Sequence, residues 1–189
     1  DAGGTQLIDL NGDAADDFVI TLNASSSAVR GFPVGGGYGA ANSFQNAFLG
    51  ITASSFNYPT LLSTGQAISS AGPWVSAYAY NDFCYGNGYP NSQFCGVTDG
   101  YVGLRFRITS GGPFYYGWAR LDVTTALGAS TFVLKDFAYN STPGAPIDAG
   151  QTTLSIEDNQ LSKIKIVSLN KSIALYNLPT DSNYKLYSM

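Results

Sequence analysis

The sequence predicts an all-β protein of β-sandwich or jelly-roll type, on three observations. Short runs rich in β-branched and aromatic residues alternate with clusters of Gly, Asn, Ser and Pro, which favour turns. No segment sustains the apolar periodicity that an amphipathic helix needs. Charged residues make up only 12% of the 189 residues, about half the usual share. These features are typical of an extracellular β protein.

Five segments in the first 150 residues carry the clearest strand patterns. They are Phe18–Leu22, Trp74–Tyr80, Tyr101–Ile108, Phe114–Val123 and Thr131–Tyr139. In the third, the apolar residues, ending with Ile108, alternate with Arg105 and Arg107 and are predicted to share one face. The turn-forming sequence Ser110–Pro113 follows, so residues 101–123 predict a β-hairpin. Helical structure is expected for one turn at most, at Gln45–Leu49 or Thr60–Leu62.

A change of composition near Gly150 predicts two regions, 1–150 and 151–189. All 22 glycines lie in the first region, and four of the five lysines lie in the second. The first region carries five cations and ten acids, and the second carries four cations and three acids, which together give the net charge of −4. The Pro- and Gly-containing stretch 141–146 resembles a linker. We therefore predict a Gly- and Tyr-rich β domain followed by a distinct C-terminal segment.

The C-terminal segment also alternates in the manner of strands. Leu161–Val167, Ser172–Tyr176 and Asn183–Tyr187 are the candidates. Three strands of this length bury too little surface to be stable alone. We expect them to dock on the first region, to pair with another chain, or to begin a longer domain.

The two cysteines, Cys84 and Cys95, bracket a segment rich in Gly, Asn and Pro, whose turns bring its ends together. A disulfide is predicted, and closing a loop of this size stabilises by roughly 3 kcal/mol. The alternative is a pair of free buried thiols. A metal site at the cysteines is disfavoured because the chain has no His and no further Cys.

An acidic loop near the N-terminus suggests a structural Ca²⁺ site. Its alternate positions supply oxygen ligands from the side chains of Asp9, Asn11, Asp13 and Asp17 and the carbonyl of Ala15. Ca²⁺ takes six to eight oxygen ligands, and crowded carboxylates repel one another without a cation. Such loops usually have Gly at the sixth position, where this chain has Ala. The alternative is a solvated acidic turn between two strands.

Tyrosines among Gly, Asn and Ser suggest a contact surface. A tyrosine ring offers a large face and a hydroxyl at a small entropic cost, which suits stacking on sugars or contacts with proteins. Most of the aromatic residues are expected in the core or on strand faces. The loop between the cysteines, with Tyr85 and Tyr89, is the best candidate for an exposed binding surface.

Several function classes are disfavoured. The chain has no His, which removes catalytic arrangements that need imidazole. A glycosidase-like pair would have to come from Asp82, Asp99, Asp122 and Asp136, and pairing of such carboxylates with Arg105 or Arg120 is the simpler interpretation. The net charge of −4 and the scattered cations disfavour nucleic acid. No apolar run approaches the roughly 20 residues of a membrane-spanning helix.

Two family resemblances bear on export. Gly100–Phe106, Tyr116–Leu121 and Asp136–Gly144, with Ile8–Asp13 near the start, resemble a domain of exported bacterial proteins, including PEP-CTERM proteins. The C-terminal segment is similar to the front half of the C-terminal sorting domain of type IX secretion cargo in Bacteroidota. The similarity lies in Leu154–Asn159, Ile164–Ile166 and Tyr184–Met189. The chain departs from this family at Val167–Asn170, where the domain usually has Tyr-Pro-Asn-Pro.

These resemblances imply export to the cell surface and bring no activity with them. We expect a non-catalytic secreted or cell-surface protein that works in adhesion, in a matrix or in a surface coat. Its segment 151–189 is expected to contact the secretion or anchoring machinery, and the chain is expected to be a processed form of its precursor. The alternatives are a self-assembling filament or layer subunit that exchanges strands, and a carbohydrate-binding module that contacts surface glycans.

Overall fold

The computed structural model describes residues 4–23, 28–35, 42–75, 81–85, 89–126, 129–152, 165–169 and 172–176. The chain divides into two compact units, Asp1–Thr152 and Thr153–Met189, and each is described by itself. The regular structure of the described residues is entirely β, which confirms the predicted all-β class.

The first unit contains thirteen of the strands. In chain order they are β1 (Thr5–Ile8), β2 (Phe18–Asn23), β3 (Ala28–Pro33), β4 (Ala47–Ala53), β5 (Phe56–Pro59), β6 (Leu61–Leu62), β7 (Ala67–Ile68), β8 (Trp74–Val75), β9 (Asn81–Tyr85), β10 (Gly100–Phe106), β11 (Tyr115–Ala126), β12 (Ala129–Tyr139) and β13 (Ile147–Asp148).

Eleven of these strands form one sheet. Its order is β1-β2-β3-β9-β5-β4-β10-β11-β12, with β6 paired to β10 and β8 paired to β4. All of these pairings are antiparallel except that of β5 with β9, which is parallel and brings Asn57 opposite Asn81. Strands β7 and β13 form a separate small pair.

Strand β4 joins the two halves of the large sheet because it changes partner along its length. Its first residues, Ala47 and Phe48, pair with β10, and its residues from Gly50 to Ala53 pair with β5. A Cβ atom at Gly50 would come within 2.3 Å of the Tyr58 carbonyl oxygen. Only glycine therefore allows the two backbones to approach this closely at the changeover.

The large sheet curls around the main hydrophobic core and comes close to forming a barrel. Strand β12 contacts β2 and β3 across this core. The largest fully buried side chains here are Phe18, Phe48, Phe83, Phe94, Phe106 and Phe132. The rings of Phe18, Phe48 and Phe83 form a chain, with centroid separations of 5.0 and 5.5 Å.

A second core lies on the opposite face of β10 and β11. Trp118 and Tyr101 pack there with centroids 5.3 Å apart, and the segments around Ile68 and Ile147 cover them. The Trp118 indole Nε1 donates a hydrogen bond of 2.9 Å to the carbonyl of Gln151. This hydrogen bond fixes the end of the first unit against the sheet.

Most of the predicted strands are confirmed. The hairpin of residues 101–123 is β10 and β11, paired from Gly100 opposite Leu121 to Phe106 opposite Tyr115. The predicted strands Phe18–Leu22 and Thr131–Tyr139 correspond to β2 and β12. Of Trp74–Tyr80, the first two residues form β8, and residues 76–80 lie outside the described part.

Two local predictions are wrong. Ile108 is not on the buried face of β10, because that strand ends at Phe106 and Ile108 is 37% exposed. The segments Gln45–Leu49 and Thr60–Leu62 do not form helical turns; they contribute to β4 and β6. Pairing of these short segments with β10 overrides their weak local preference.

In the second unit, β14 (Lys165–Leu169) and β15 (Ser172–Tyr176) form an antiparallel pair with Leu169 opposite Ser172. The predicted strand Ser172–Tyr176 is confirmed, and the predicted Leu161–Val167 overlaps β14 at residues 165–167. The predicted strand Asn183–Tyr187 lies outside the described residues. Among the described residues, no helix is long and apolar enough to cross a membrane.

Candidate contact site

The predicted disulfide is confirmed. Cys84, near the end of β9, is bonded to Cys95, with the two Cα atoms 4.9 Å apart. Neighbouring residues hold the same two segments together, since the Phe94 amide donates to the Phe83 carbonyl at 3.1 Å and their rings pack with centroids 4.9 Å apart. The base of the loop is therefore fixed by a covalent bond and by buried aromatic packing.

Three aromatic side chains gather beside this disulfide, and we call them the aromatic patch: Phe56, Tyr85 and Tyr89. The Tyr85 and Tyr89 rings meet edge to face with centroids 4.6 Å apart, and Phe56 lies 6.2 Å from Tyr89. Phe56 is 47% exposed and Tyr89 is 42% exposed. Large exposed rings held in one place suit binding better than core packing.

A buried ion pair supports the patch. Arg30 on β3 and Asp82 on β9 lie opposite each other in the strand register, and the Arg30 Nε donates to the Asp82 Oδ1 at 3.1 Å. Their side chains are 14% and 5% exposed. The Arg30 guanidinium carbon also lies 5.3 Å from the centre of the Tyr85 ring, within cation–π range.

Burial shapes the electrostatics beneath the patch. Desolvation raises the pKa of Asp82, while the charge and hydrogen bond of Arg30 oppose that rise. Burial also raises the pKa of the nearby Tyr58 hydroxyl, and Asp82 and Tyr89 add to the effect. Arg30 therefore limits the rise that burial causes in the Asp82 pKa.

The same five residues, Arg30, Phe56, Asp82, Tyr85 and Tyr89, line a small pocket of about 70 Å³. It combines apolar ring surface with a guanidinium and a carboxylate. A sugar ring binds through these two kinds of contact, since its C–H face stacks on an aromatic ring while its hydroxyls exchange hydrogen bonds with charged groups. The pocket is large enough for one substituent of a ligand.

Tyr85 and Tyr89, both predicted as the binding surface, lie together in this site. The sequence pattern does not connect Phe56 or Arg30 with these tyrosines, and it indicates Asp82 only as a possible catalytic carboxylate. The Arg30–Asp82 pair spans 52 positions and depends on β3 pairing with β9. Neither β3 nor β9 is among the predicted strands, so no local pattern indicates this contact.

The predicted calcium loop connects β1 to β2 and is folded on its own side chains. The Asp9 carboxylate accepts hydrogen bonds from the amides of Gly12 and Ala14, each at 2.8 Å, and the Asp13 carboxylate accepts one from Ala15 at 2.8 Å. Asn11 donates its side-chain amide to Asp13 at 2.9 Å. Ala14 has a φ of +68°, so it adopts the left-handed conformation usually taken by glycine at that position.

Asp17, the last predicted ligand, is buried at the end of this loop. It accepts a hydrogen bond from the Leu10 amide at 3.0 Å and a longer one from the Asn46 side chain at 3.4 Å. Burial raises its pKa to about 7; the Leu10 hydrogen bond opposes the rise, and the charges of Asp13 and Asp9 add to it. Asp17 is therefore partly protonated at neutral pH.

No cluster of three or more His, Cys, Asp or Glu side chains in a metal-binding arrangement occurs among the described residues. The Ca²⁺ site formed by Asp9, Asn11, Asp13, Ala15 and Asp17 therefore stays a prediction from the sequence pattern.

The carboxylates considered for catalysis are ion-paired. Lys135 contacts Asp99 and Asp122, each at 2.7 Å. Arg120 binds Asp136 with two hydrogen bonds and also contacts Asp99 at 3.1 Å. The hydrogen bond from Lys135 lowers the pKa of Asp122, which makes this carboxyl a poor proton donor at neutral pH.

No protein-family model, curated protein or solved structure matches this chain.

Proposed function

We propose that this chain is a non-catalytic secreted or cell-surface protein that acts by contact, in adhesion, in a matrix or in a surface coat. The observation that carries the proposal is the aromatic patch. Phe56, Tyr85 and Tyr89 are held beside a disulfide and over a buried ion pair, and two of the rings are more than 40% exposed. A fixed aromatic surface loses little entropy on binding.

Adhesion of protein-coated beads tests this function. Beads carrying the wild-type chain, Phe56→Ala or Tyr89→Ala are compared on glass coated with cellulose, chitin or mannan and on bare glass. Phe137→Ala is the matched control, since Phe137 is an exposed ring on β12, outside the patch. We expect retention of wild-type and Phe137→Ala beads and loss of the two patch variants. Equal retention of all four would contradict the proposal.

A second candidate is carbohydrate recognition by the same patch, favoured by the pocket that Arg30 and Asp82 line beside the rings. A glycan array separates the two functions. Binding of a restricted set of glycans, lost in Tyr85→Ala and Tyr89→Ala, supports a carbohydrate-binding module. Adhesion without any glycan signal supports contacts with other polymers or proteins.

Export and anchoring are part of the proposal. Residues 151–189 act as the segment that the secretion or anchoring machinery contacts, on the basis of their resemblance to a type IX sorting domain. The antiparallel β14–β15 pair supports this role, because sorting domains of this type are β-structured. Fusing residues 151–189 to a periplasmic reporter in a type IX-competent bacterium tests it: the reporter should reach the surface, and retention in the periplasm would reject the role.

We also propose that the acidic loop holds one structural Ca²⁺ through Asp9, Asn11, Asp13, Ala15 and Asp17. The sequence pattern supports this, because alternate positions of the loop supply the oxygen ligands that Ca²⁺ takes. The ion would fix the β1–β2 connection and take no part in ligand contact.

A further inference from the structure

Two arginines lie close together at the end of β10, where Arg105 belongs to the strand and Arg107 follows its last residue. The Arg105 side chain leaves the strand on the same side as Tyr101, which is the face that carries the second core. Both are partly exposed. The Phe114 ring holds them together, with its centre 4.2 Å from the Arg105 guanidinium carbon and 3.9 Å from that of Arg107. The centre of the Trp74 ring lies 5.0 Å from the Arg105 guanidinium carbon.

These two charges differ from the other cationic side chains that the structure describes. Arg30, Arg120 and Lys135 each form an ion pair with an aspartate. Arg105 and Arg107 form none with the described residues. The nearby charge of Arg107 lowers the pKa of Arg105, in addition to the larger effect of burial. Two like charges are therefore held together without a compensating acid.

The guanidinium groups also retain unused hydrogen-bond donors. The Nε atoms of both arginines are buried and have no acceptor. Arg107 donates from Nη1 to Gln45 at 3.0 Å, whereas the Arg105 guanidinium makes no hydrogen bond to the described residues. Aromatic rings cover the faces of a stacked guanidinium and leave its N–H edges available. Because the Nε atoms are closed to solvent, the terminal N–H groups are the donors that can reach the oxygens of a ligand.

We propose that Arg105 and Arg107 form a binding site for an oxyanion, the carboxylate or sulfate group that an acidic sugar carries. Such a group accepts paired hydrogen bonds from a planar guanidinium, and its negative charge reduces the repulsion between the two arginines. A polyanion such as nucleic acid is disfavoured, because the whole chain has a net charge of −4 and two arginines make a small footprint.

This site is distinct from the aromatic patch. Arg105 and Arg107 belong to β10 and the residue after it, whereas the patch is built from β5, β9 and the residue Tyr89. Strand β4 lies between β5 and β10 in the sheet. The proposal therefore stands or falls independently of the adhesive function.

Arginine side-chain NMR tests the site on the full chain. The chain has four arginines, so the Nε–Hε region contains four signals, with Arg30 and Arg120 as internal controls. The protein is titrated with sodium sulfate, trigalacturonate and neutral galactotriose, each against sodium chloride at equal ionic strength. We expect saturable shifts of the Arg105 and Arg107 signals with sulfate and trigalacturonate and none with galactotriose. The carboxylate and sulfate arms show which group binds more tightly.

Arg105→Lys keeps the charge but loses the planar fork, so we expect its affinity for the better anion to fall at least tenfold. Lys165→Gln, a cation on β14, should leave the affinity unchanged. Absence of any shift beyond that caused by chloride, equal shifts of all four signals, or equal affinities of Arg105→Lys and the wild type would overturn the proposal. Circular dichroism and the dispersion of the backbone amide signals show whether each variant is folded. A loss of affinity can therefore be distinguished from a loss of folding.

Discussion

The Arg30 Nε lies 3.1 Å from the Asp82 Oδ1, in a cross-strand pair of β3 and β9 that is almost closed to solvent. This contact joins the two properties of the candidate site. It neutralises a buried carboxylate, and it places a guanidinium against the ring of Tyr85. The patch above it is therefore supported by charge as well as by packing.

Arg30→Gln should destabilise the protein by roughly 3 kcal/mol, because it leaves a buried carboxylate without its counter-ion. The pKa of Asp82, which burial already raises, should rise further in this variant. A carboxyl whose folded pKa exceeds the unfolded one stabilises at low pH and loses that contribution as pH rises through the folded pKa. Urea unfolding should therefore show a larger deficit at pH 7 than at pH 4. The double variant with Asp82→Asn should recover part of the loss, and a deficit independent of pH would contradict this account.

Reduction of the disulfide, or Cys84→Ala with Cys95→Ala, should lower the free energy of unfolding by roughly 3 kcal/mol, as expected for a short loop. The buried packing of Phe83 on Phe94 should preserve the strands. Far-ultraviolet circular dichroism should stay unchanged, while the urea midpoint falls and bead adhesion weakens. An unchanged midpoint in the double-alanine protein would show that the bond contributes little.

Lys135→Gln should raise the pKa of Asp122, since the hydrogen bond from Lys135 is the main cause of its lowered value. A lowered folded pKa adds stability above the unfolded value, and that stability is lost as pH falls through the folded pKa. The wild type should therefore lose more stability than Lys135→Gln between pH 5 and pH 2. The difference should be small because solvent screens this partly exposed pair. Carboxyl-carbon NMR titration measures the pKa of Asp122 in both proteins. Identical titration curves for the wild type and Lys135→Gln would contradict a contact between Lys135 and Asp122.

Asp17→Asn tests the calcium loop. In chelator, this variant should be at least as stable as the wild type at pH 7, because it removes the cost of a buried charge. In Ca²⁺ at about 100 times the dissociation constant, the wild type should gain roughly 2–3 kcal/mol and the variant much less. Asp16→Asn, next to the predicted ligands, is the control and should respond as the wild type does. No Ca²⁺-dependent change in the melting temperature of the wild type would end the calcium proposal.

The strand-exchange alternative also has a test. Strand β12 ends the order of the large sheet and exposes Val133 and Phe137. If a neighbour pairs with this edge, size-exclusion chromatography and negative-stain microscopy should reveal assemblies that Val133→Lys with Phe137→Lys removes. A wild-type chain that stays monomeric at high concentration would dispose of the filament hypothesis.

Local sequence pattern was enough to predict much of the first unit. The β10–β11 hairpin was recognisable because a Gly-Pro turn separates two alternating segments. The disulfide followed from two cysteines around a turn-rich loop. In both cases the contacting residues are close in the chain, so turn chemistry and periodicity carry the information.

Long-range pairing was beyond the same reasoning. Phe56 joins Tyr89 because β5 runs parallel to β9, and Arg30 meets Asp82 because β3 lies on the other side of β9. The local sequence around Phe56 or Arg30 does not indicate either of these contacts. The second core was missed for the same reason, since Trp118 is buried by segments around Ile68 and Ile147 that fold back from distant positions.

The most direct test of the central claim, that the aromatic patch is the contact surface, is the adhesion of beads carrying Tyr89→Ala beside beads carrying Phe137→Ala. The two substitutions each remove one exposed ring, and only Tyr89 belongs to the patch. We expect Tyr89→Ala beads to detach from the coated glass under flow, while Phe137→Ala beads remain. Equal retention of the two would contradict it.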